Sequence, residues 1–272
     1  MSTPNPDLEE ILAAMGTAGD RIAAMDASEA SAGNISAFMA WNPEVRRRFP
    51  LAEEMALPLA APALAGRTLL VTGSGRRLRD IQRDPEANVG AVLVHADGVS
   101  ATLHTSPRRL FRHLTSEFNS HLGVHQDQVA SRGLQFHAVV HAQPPHLTML
   151  SHIPAYRETA MFNEKIMRWE PESIVALPQG IGVLDFMVPG SDELMRNNIA
   201  SLRRHAIVLW SKHGVMARSD VSVTNAVDKI EYAETGARYE YMNLAIGNVG
   251  EGLRREELRA VKDAFQVETD LC

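Results

Sequence analysis

The sequence predicts an α/β fold: one domain over residues 1–272, built on a mainly antiparallel central sheet covered by helices. Three observations carry this expectation. Two β-rich runs, Gly90 to His95 and Val99 to His104, flank the hairpin signal Asp97-Gly98. Other short apolar runs stand alone between stretches with helical spacing. No repeat, low-complexity tract or linker divides the chain, and 272 residues at 45% hydrophobic content suffice for one large core. Strands that occur both in hairpins and between helices imply a largely antiparallel or mixed sheet.

From the N-terminus, residues 7 to 25 predict an amphipathic helix with Leu8, Ile11, Leu12, Met15, Ile22 and Met25 near one face. Ala32-Gly33-Asn34-Ile35-Ser36 reads as a turn entering a strand. Residues 41 to 66 hold Pro43, Pro50, Pro58 and Pro62 and read as a long excursion with little regular structure. A strand follows at Thr68 to Val71. Beyond the hairpin, a helix is expected from Ser116 to Ser131 and a strand from Ala138 to His141. One further helix starts near His146, and another runs from Tyr156 to Met167. Val183 to Val188 reads as a strand before the turn Pro189-Gly190. Ser191 caps a helix reaching His205, with Asp192 and Glu193 in its first turn. Ile207 to Trp210 reads as a strand and Val221 to Ile246 as a long helix.

Net charge is −6 and pI is about 6.0, which argues against general nucleic-acid binding. No apolar run reaches the roughly 18 residues of a membrane span. The single cysteine is Cys272, so an internal disulfide and a thiolate metal site are both excluded. With no basic-then-apolar signal pattern at the N-terminus, a cytoplasmic protein is expected.

Two segments carry most of the chemistry. His137-Ala-Val-Val-His141-Ala-Gln143 and Ala206-Ile-Val-Leu-Trp-Ser-Lys-His213-Gly214 each read as a buried strand delivering a histidine at its C-terminal end. Neutral imidazole is the commonest protein ligand for a transition metal, although one strand-end histidine is more often a hydrogen-bonded core residue. Glu117 follows Thr115-Ser116 at a helix start. It reads either as an acidic residue complementing the helix dipole or as a carboxylate turned toward a metal. Glu117, His121 and His125 recur at i, i+4 and i+8 and share one helix face. Thr72-Gly73-Ser74-Gly75 follows a strand, where glycines let backbone N–H groups converge on an anion. It lacks the nucleotide P-loop pattern, which leaves a phosphate monoester open. Gly33-Asn34 and Thr115-Ser116 offer further donors.

These segments together resemble the class II aldolase/adducin family. The resemblance rests on Gly33-Asn34-Ile35-Ser36, Val71-Thr-Gly-Ser-Gly75, Asp84-Pro85-x-x-Asn88, Thr115-Ser116-Glu117 with His121, Val140-His141-Ala142, Trp169-Glu170, Pro178-x-Gly180-x-Gly182, Val188-Pro189-Gly190-Ser191-Asp192-Glu193 and Leu209-Trp210-x-x-His213-Gly214-Val215. It implies a nine-stranded, mainly antiparallel sheet and a four-fold homotetramer with active sites at subunit interfaces. It implies a lyase that cleaves a rhamnulose-1-phosphate-like ketose 1-phosphate to dihydroxyacetone phosphate and a small aldehyde. Substrate or phosphate binding falls by resemblance to Gly33, Asn34, Gly73, Ser74, Thr115 and Ser116. Glu117 becomes the acid/base, and His141 and His213 hold a divalent metal, Zn²⁺ first, with Mn²⁺ or Co²⁺ as alternatives. Glu170, or a tyrosine such as Tyr156, becomes a second acid/base, Glu170 by reaching a neighbouring subunit's site.

The chain departs from the family at one place. The family has His-x-His on the first metal strand, and this sequence has His141-Ala142-Gln143. Residues i and i+2 of a strand share a side, so Gln143 is expected where the second imidazole stands, offering a weaker carbonyl ligand. His146 is a nearby substitute. The rival readings are a phosphosugar epimerase or decarboxylase of the same family, and a non-catalytic assembly module of the adducin type.

Overall fold

The computed structural model describes residues 5–272. Its nine strands form one sheet. They are β1 (Asn34–Met39), β2 (Leu51–Ala56), β3 (Thr68–Thr72), β4 (Val89–Val94), β5 (Ser100–Thr105), β6 (Phe136–Ala142), β7 (Ile181–Leu184), β8 (Ile207–Trp210) and β9 (Gly214–Ser219). Their spatial order is β2-β5-β4-β3-β1-β6-β9-β8-β7, and every pairing is antiparallel except β7 with β8. The α-helices among the described residues are α1 (Leu8–Ala24), α2 (Pro85–Asn88), α3 (Phe118–Arg132), α4 (Pro145–Leu150), α5 (Thr159–Ile166), α6 (Pro171–Ala176), α7 (Asp192–Leu202), α8 (Val223–Ala245) and α9 (Arg255–Phe265). The expected α/β class, with helices on a mainly antiparallel sheet, is the fold observed.

Side-chain alternation along the central strands explains why both faces are covered. Ile35, Ala37 and Met39 of β1, with Ala138, Val140 and Ala142 of β6, pack on one face against α1 and α8. The opposite face of β3 and β4 packs Leu69, Val71, Val92 and Val94 against Phe118, Leu122 and Val129 of α3, while α7 covers Val208 and Trp210 of β8. α1 is closed by a capping box between Asp7 and Glu10. None of the helices among the described residues is long and apolar enough to cross a membrane.

Several boundaries differ from expectation. Residues 41–66 contain β2, an exposed edge strand beside β5. Its sequence, Leu-Ala-Glu-Glu-Met-Ala, carries charges that suit a sheet edge and give no buried-strand signal. The strand expected at Val183 to Val188 is Ile181–Leu184. It ends where its partner β8 ends at Trp210, leaving Phe186 and Val188 exposed. The helix expected from Tyr156 starts at Thr159 behind a Glu158 cap, after a 3₁₀ turn at Pro154–Tyr156. β9, α6 and α9 were not expected. β9 is the hairpin partner of β8, and its Arg218 and Ser219 break the apolar run that would signal it.

Candidate active site

Register brings the candidate residues to one end of the sheet. Asn34 at the start of β1 pairs with His141 near the end of β6, and Ala142 pairs with Val215 at the start of β9. β8 ends at Trp210, and the β8–β9 turn passes through Lys212, at φ +64°, to carry His213 back over β6. Close approach is possible because two positions lack side chains. A Cβ at Gly33, which has φ +82°, would lie 2.9 Å from the His141 carbonyl oxygen. One at Gly214 would lie 2.4 Å from that of Ala142.

Glu117 stands at the N-cap position of α3, yet its side chain accepts no capping hydrogen bond. The carboxylate instead turns inward and is 4% exposed. Its Oε2 lies 3.5 Å from His141 Nε2 and its Oε1 lies 3.4 Å from His213 Nε2. Asn34 Nδ2 donates to Oε2 at 3.0 Å. Of the two readings of Glu117, the inward carboxylate is the one observed.

The three residues suit a divalent cation. One ligand atom from each of Glu117, His141 and His213 lies within 4.8 Å of the others. A charge-assisted hydrogen bond would draw such pairs to about 2.7–2.9 Å. The observed spacings instead approximate the edge of a ligand tetrahedron with bonds of about 2.0–2.1 Å. His141 Nδ1 lies 2.8 Å from the Val215 carbonyl, which fixes Nδ1 as the donor and leaves the Nε2 lone pair for the cluster. His213 Nδ1 is buried with no partner among the described residues, so its tautomer is set by what Nε2 binds. Burial lowers the His213 imidazole to about 4, with His141 adding to the effect and Glu117 opposing it. Burial works to raise the Glu117 carboxyl. His141, the Asn34 amide, His213 and His121 outweigh it and hold the group below the ordinary glutamate range. An anionic Glu117 beside a neutral His213 matches the protonation states that metal ligation requires.

The candidate anion donors also gather here. Ile35 N donates to Thr72 Oγ1 at 3.1 Å, Thr115 N to the Thr72 carbonyl at 3.1 Å, and Ser74 N to the His113 carbonyl at 2.8 Å. These bonds place the Gly33-Asn34, Gly73-Ser74 and Thr115-Ser116 segments side by side. They also correct one expectation. The backbone N–H groups of Gly73 and Ser74 are already bonded, to Asn88 and His113, and do not form an anion nest. The exposed hydroxyls of Ser74 and Ser116 remain as donors, beside that of Thr115. A cleft of about 610 Å³ lined by Thr115, Ser116, Arg112 and His113 opens next to them.

Gln143 lies beside Gly214, and three other sequence candidates lie away from the cluster. β6 ends at Ala142, so the side-sharing rule no longer governs Gln143. Its backbone N–H donates to the Ala27 carbonyl, and its amide nitrogen, oriented to satisfy both ends, donates to the Glu29 carboxylate. His146 Nδ1 pairs with Glu234 of α8 at 2.6 Å. The Tyr156 hydroxyl donates to the buried Glu240 carboxylate, which with burial holds the phenol above its ordinary range. Glu170 lines a separate cleft of about 530 Å³ with Lys229 and Tyr232, where burial and then Glu172 raise its carboxyl. Asn34 as the hydrogen-bond donor to Glu117 was not anticipated. Its signal was a polar i, i+2 pair, Asn34 and Ser36, on an otherwise apolar strand.

A Glu/His/His cluster able to hold a metal ion thus stands beside hydroxyl-lined turns at one end of a nine-stranded, mainly antiparallel sheet. The family profile described as "Class II Aldolase and Adducin N-terminal domain" matches residues 13–241. The chain belongs to this family and is a class II aldolase, a divalent-metal carbon–carbon lyase. It is 30% identical over 220 residues to a rhamnulose-1-phosphate aldolase of Klebsiella pneumoniae, covering 79% of this chain and 76% of that protein. A similar relative from Escherichia fergusonii is 30% identical over 227 residues, covering 81% and 77%. Among solved structures, a sugar-phosphate aldolase from Thermotoga maritima superposes with TM-score 0.73 at 27% identity, covering 88% of this chain and 97% of that one. An L-fuculose 1-phosphate aldolase, at 18% identity and TM-score 0.60 over 98% of both chains, shares the fold.

Proposed function

We propose that the chain cleaves a ketose 1-phosphate of the rhamnulose type into dihydroxyacetone phosphate and a small aldehyde. The observation that carries this is the Glu117 carboxylate set between two inward Nε2 atoms at 3.4 and 3.5 Å. His141, His213 and Glu117 would hold the cation, zinc being the first choice for two imidazoles and a carboxylate. Gln143 would offer only its amide oxygen, since its nitrogen is engaged by Glu29. When bound, the cation supplies Lewis-acid stabilisation of the negative charge that develops on the substrate's oxygens.

The protein's own residues do the rest. The Ser74, Thr115 and Ser116 hydroxyls anchor the phosphate, with Gly33, Asn34 and Gly73 shaping the turns around it. Loss of the C4 hydroxyl proton breaks the C3–C4 bond, releases the aldehyde and leaves the electron pair on C3. Glu117, ionised at rest, passes a proton from water to C3, which completes dihydroxyacetone phosphate, while the proton taken from the C4 hydroxyl returns to water. The base for the C4 hydroxyl is Glu170 of a neighbouring subunit, whose carboxyl burial raises above the ordinary glutamate range. A homotetramer with interfacial sites supplies that geometry. A cytoplasmic setting fits a chain whose one cysteine is Cys272.

The test is a screen of phosphorylated ketoses with Zn²⁺, Mn²⁺ and Co²⁺, reading dihydroxyacetone phosphate by coupled reduction. Chelator should abolish the signal. An isomeric product of unchanged mass, or released carbon dioxide, would replace the reading with an epimerase or a decarboxylase. Glu117→Gln should keep the fold, hold the metal more weakly, and at saturating metal lose about 10²–10⁴-fold in turnover. Near-normal turnover would remove Glu117 from the chemistry.

A further inference from the structure

Behind Glu117 the sheet–helix interface buries a continuous polar chain that the aldolase reading does not use. Asn34 Oδ1 faces His121 Nε2. His121 Nδ1 lies 2.6 Å from Ser36 Oγ, and Ser36 Oγ lies 2.7 Å from His125 Nε2. His125 Nδ1 lies 2.8 Å from His137 Nδ1. Ser36 and all three histidines are fully buried.

We propose that Ser36, His121, His125 and His137 form a relay of one fixed polarity that locks the Asn34 amide and so positions the Glu117 carboxylate. The proposal rests on Glu117 acting in the reaction, and it makes His121 and Ser36 positioning residues.

The polarity follows atom by atom. An ionised carboxylate only accepts, so Asn34 must present its nitrogen to Glu117 and its oxygen to His121. His121 Nε2 is therefore the protonated nitrogen. Burial lowers His121 and His137 to about 3, and His125 also falls well below its ordinary value, so each ring carries a single ring proton at neutral pH. His121 Nδ1 is then a lone pair and takes the Ser36 hydroxyl proton. A hydroxyl has one proton, so Ser36 Oγ accepts from His125 Nε2. His125 Nδ1 in turn accepts from His137 Nδ1. His137 Nε2 ends the chain without a proton, and it is one of the buried ring nitrogens found without a partner among the described residues.

The charges at the two ends agree with this direction. The donor end meets the Glu117 carboxylate. The lone-pair end lies in the field of Arg218 and Arg132, the positive groups that act on His137. The reverse polarity would set Asn34 Oδ1 against a carboxylate oxygen and leave a buried, unpartnered N–H on His137 in the field of two guanidinium groups.

Neutron diffraction from a perdeuterated crystal of the metal-loaded protein tests the relay directly. Deuterons are expected on His121 Nε2, His125 Nε2 and His137 Nδ1. A deuteron on His125 Nδ1 or His137 Nε2 overturns it. Ser36→Ala supplies the functional arm: kcat should fall about tenfold or more, with KM and metal content within about twofold, because a misplaced group costs turnover rather than binding. Unchanged kcat with a lowered Tm overturns the positioning role. If Ser36→Ala does not fold, the deuteron positions still decide. Failure of the aldolase reading would show separately, as wild-type protein that releases no dihydroxyacetone phosphate from any ketose 1-phosphate.

Discussion

At the scale of single residues, the centre of the site is a carboxylate whose alternative use was plain. Glu117 occupies the N-cap position of α3, where an acidic side chain is welcome for the helix dipole alone. It is recruited inward because Asn34, His141 and His213 converge on it and stabilise the anion in a buried place. Gln143 shows the opposite outcome. The sequence predicted that it shares the side of His141, but the strand ends one residue earlier and Glu29 holds the amide. Gln143→His is expected to retain zinc more tightly against a chelator, because imidazole is the better ligand and the backbone already lies beside Gly214. Zinc retention should rise at least about tenfold, measured by metal content after graded chelator treatment. Unchanged retention would mean that position 143 faces Glu29 only, and that Glu117, His141 and His213 are the whole side-chain set.

At the scale of elements, the site depends on a match of periods between α3 and β1. Four helical residues advance about 6.0 Å and two strand residues about 6.7 Å. Glu117, His121 and His125 can thus sit over Asn34, Ser36 and Phe38 in step. The helix face was legible as an i, i+4, i+8 series. The facing strand residues were legible only as a polar pair in an apolar run. That the two would meet depended on the packing of α3 onto β1 and β6. The buried histidines also set a pH dependence. His121 and His137 have folded values of about 3, against about 6.5 unfolded. Below 6.5 the unfolded chain binds more protons, so stability is complete above that value and is lost as pH falls toward 3. At pH 5 each should cost about 2 kcal/mol relative to pH 7. Chemical denaturation at the two pH values checks this, and equal midpoints would show that these rings are not buried as neutral groups.

For the whole molecule, a single chain gathers Glu117 with its histidines but keeps Glu170 in another cleft. The end of α8 and the segment beyond it leave Tyr241, Met242, Ile246 and Val249 exposed, an apolar surface that suits burial against another copy. Light scattering should give about 120 kDa for four chains of 29.9 kDa each. If each site takes Glu117 from one chain and Glu170 from another, two inactive variants should complement. Glu117→Gln and Glu170→Gln, mixed equally and reassembled, should recover about one quarter of wild-type activity, since half of each position is intact. A mixture as inactive as its components would confine the reaction to one chain or remove Glu170 from it.

The α/β class, most of the buried strands, the two strand-end histidines and the carboxylate at the start of α3 are readable from residue order alone. These are legible because periodicity, turn residues and residue chemistry are local properties. Packing alone turns Glu117 toward His141 and His213 rather than onto its helix as a cap. It also decides that the Gly73 and Ser74 N–H groups are spent on Asn88 and His113, that His146 and Tyr156 pair with Glu234 and Glu240, and that three neutral histidines line up behind Asn34. Those outcomes depend on which separated segments meet, in four of the pairs across 80 or more residues, and such contacts are set by sheet register and helix packing rather than by neighbours in the chain.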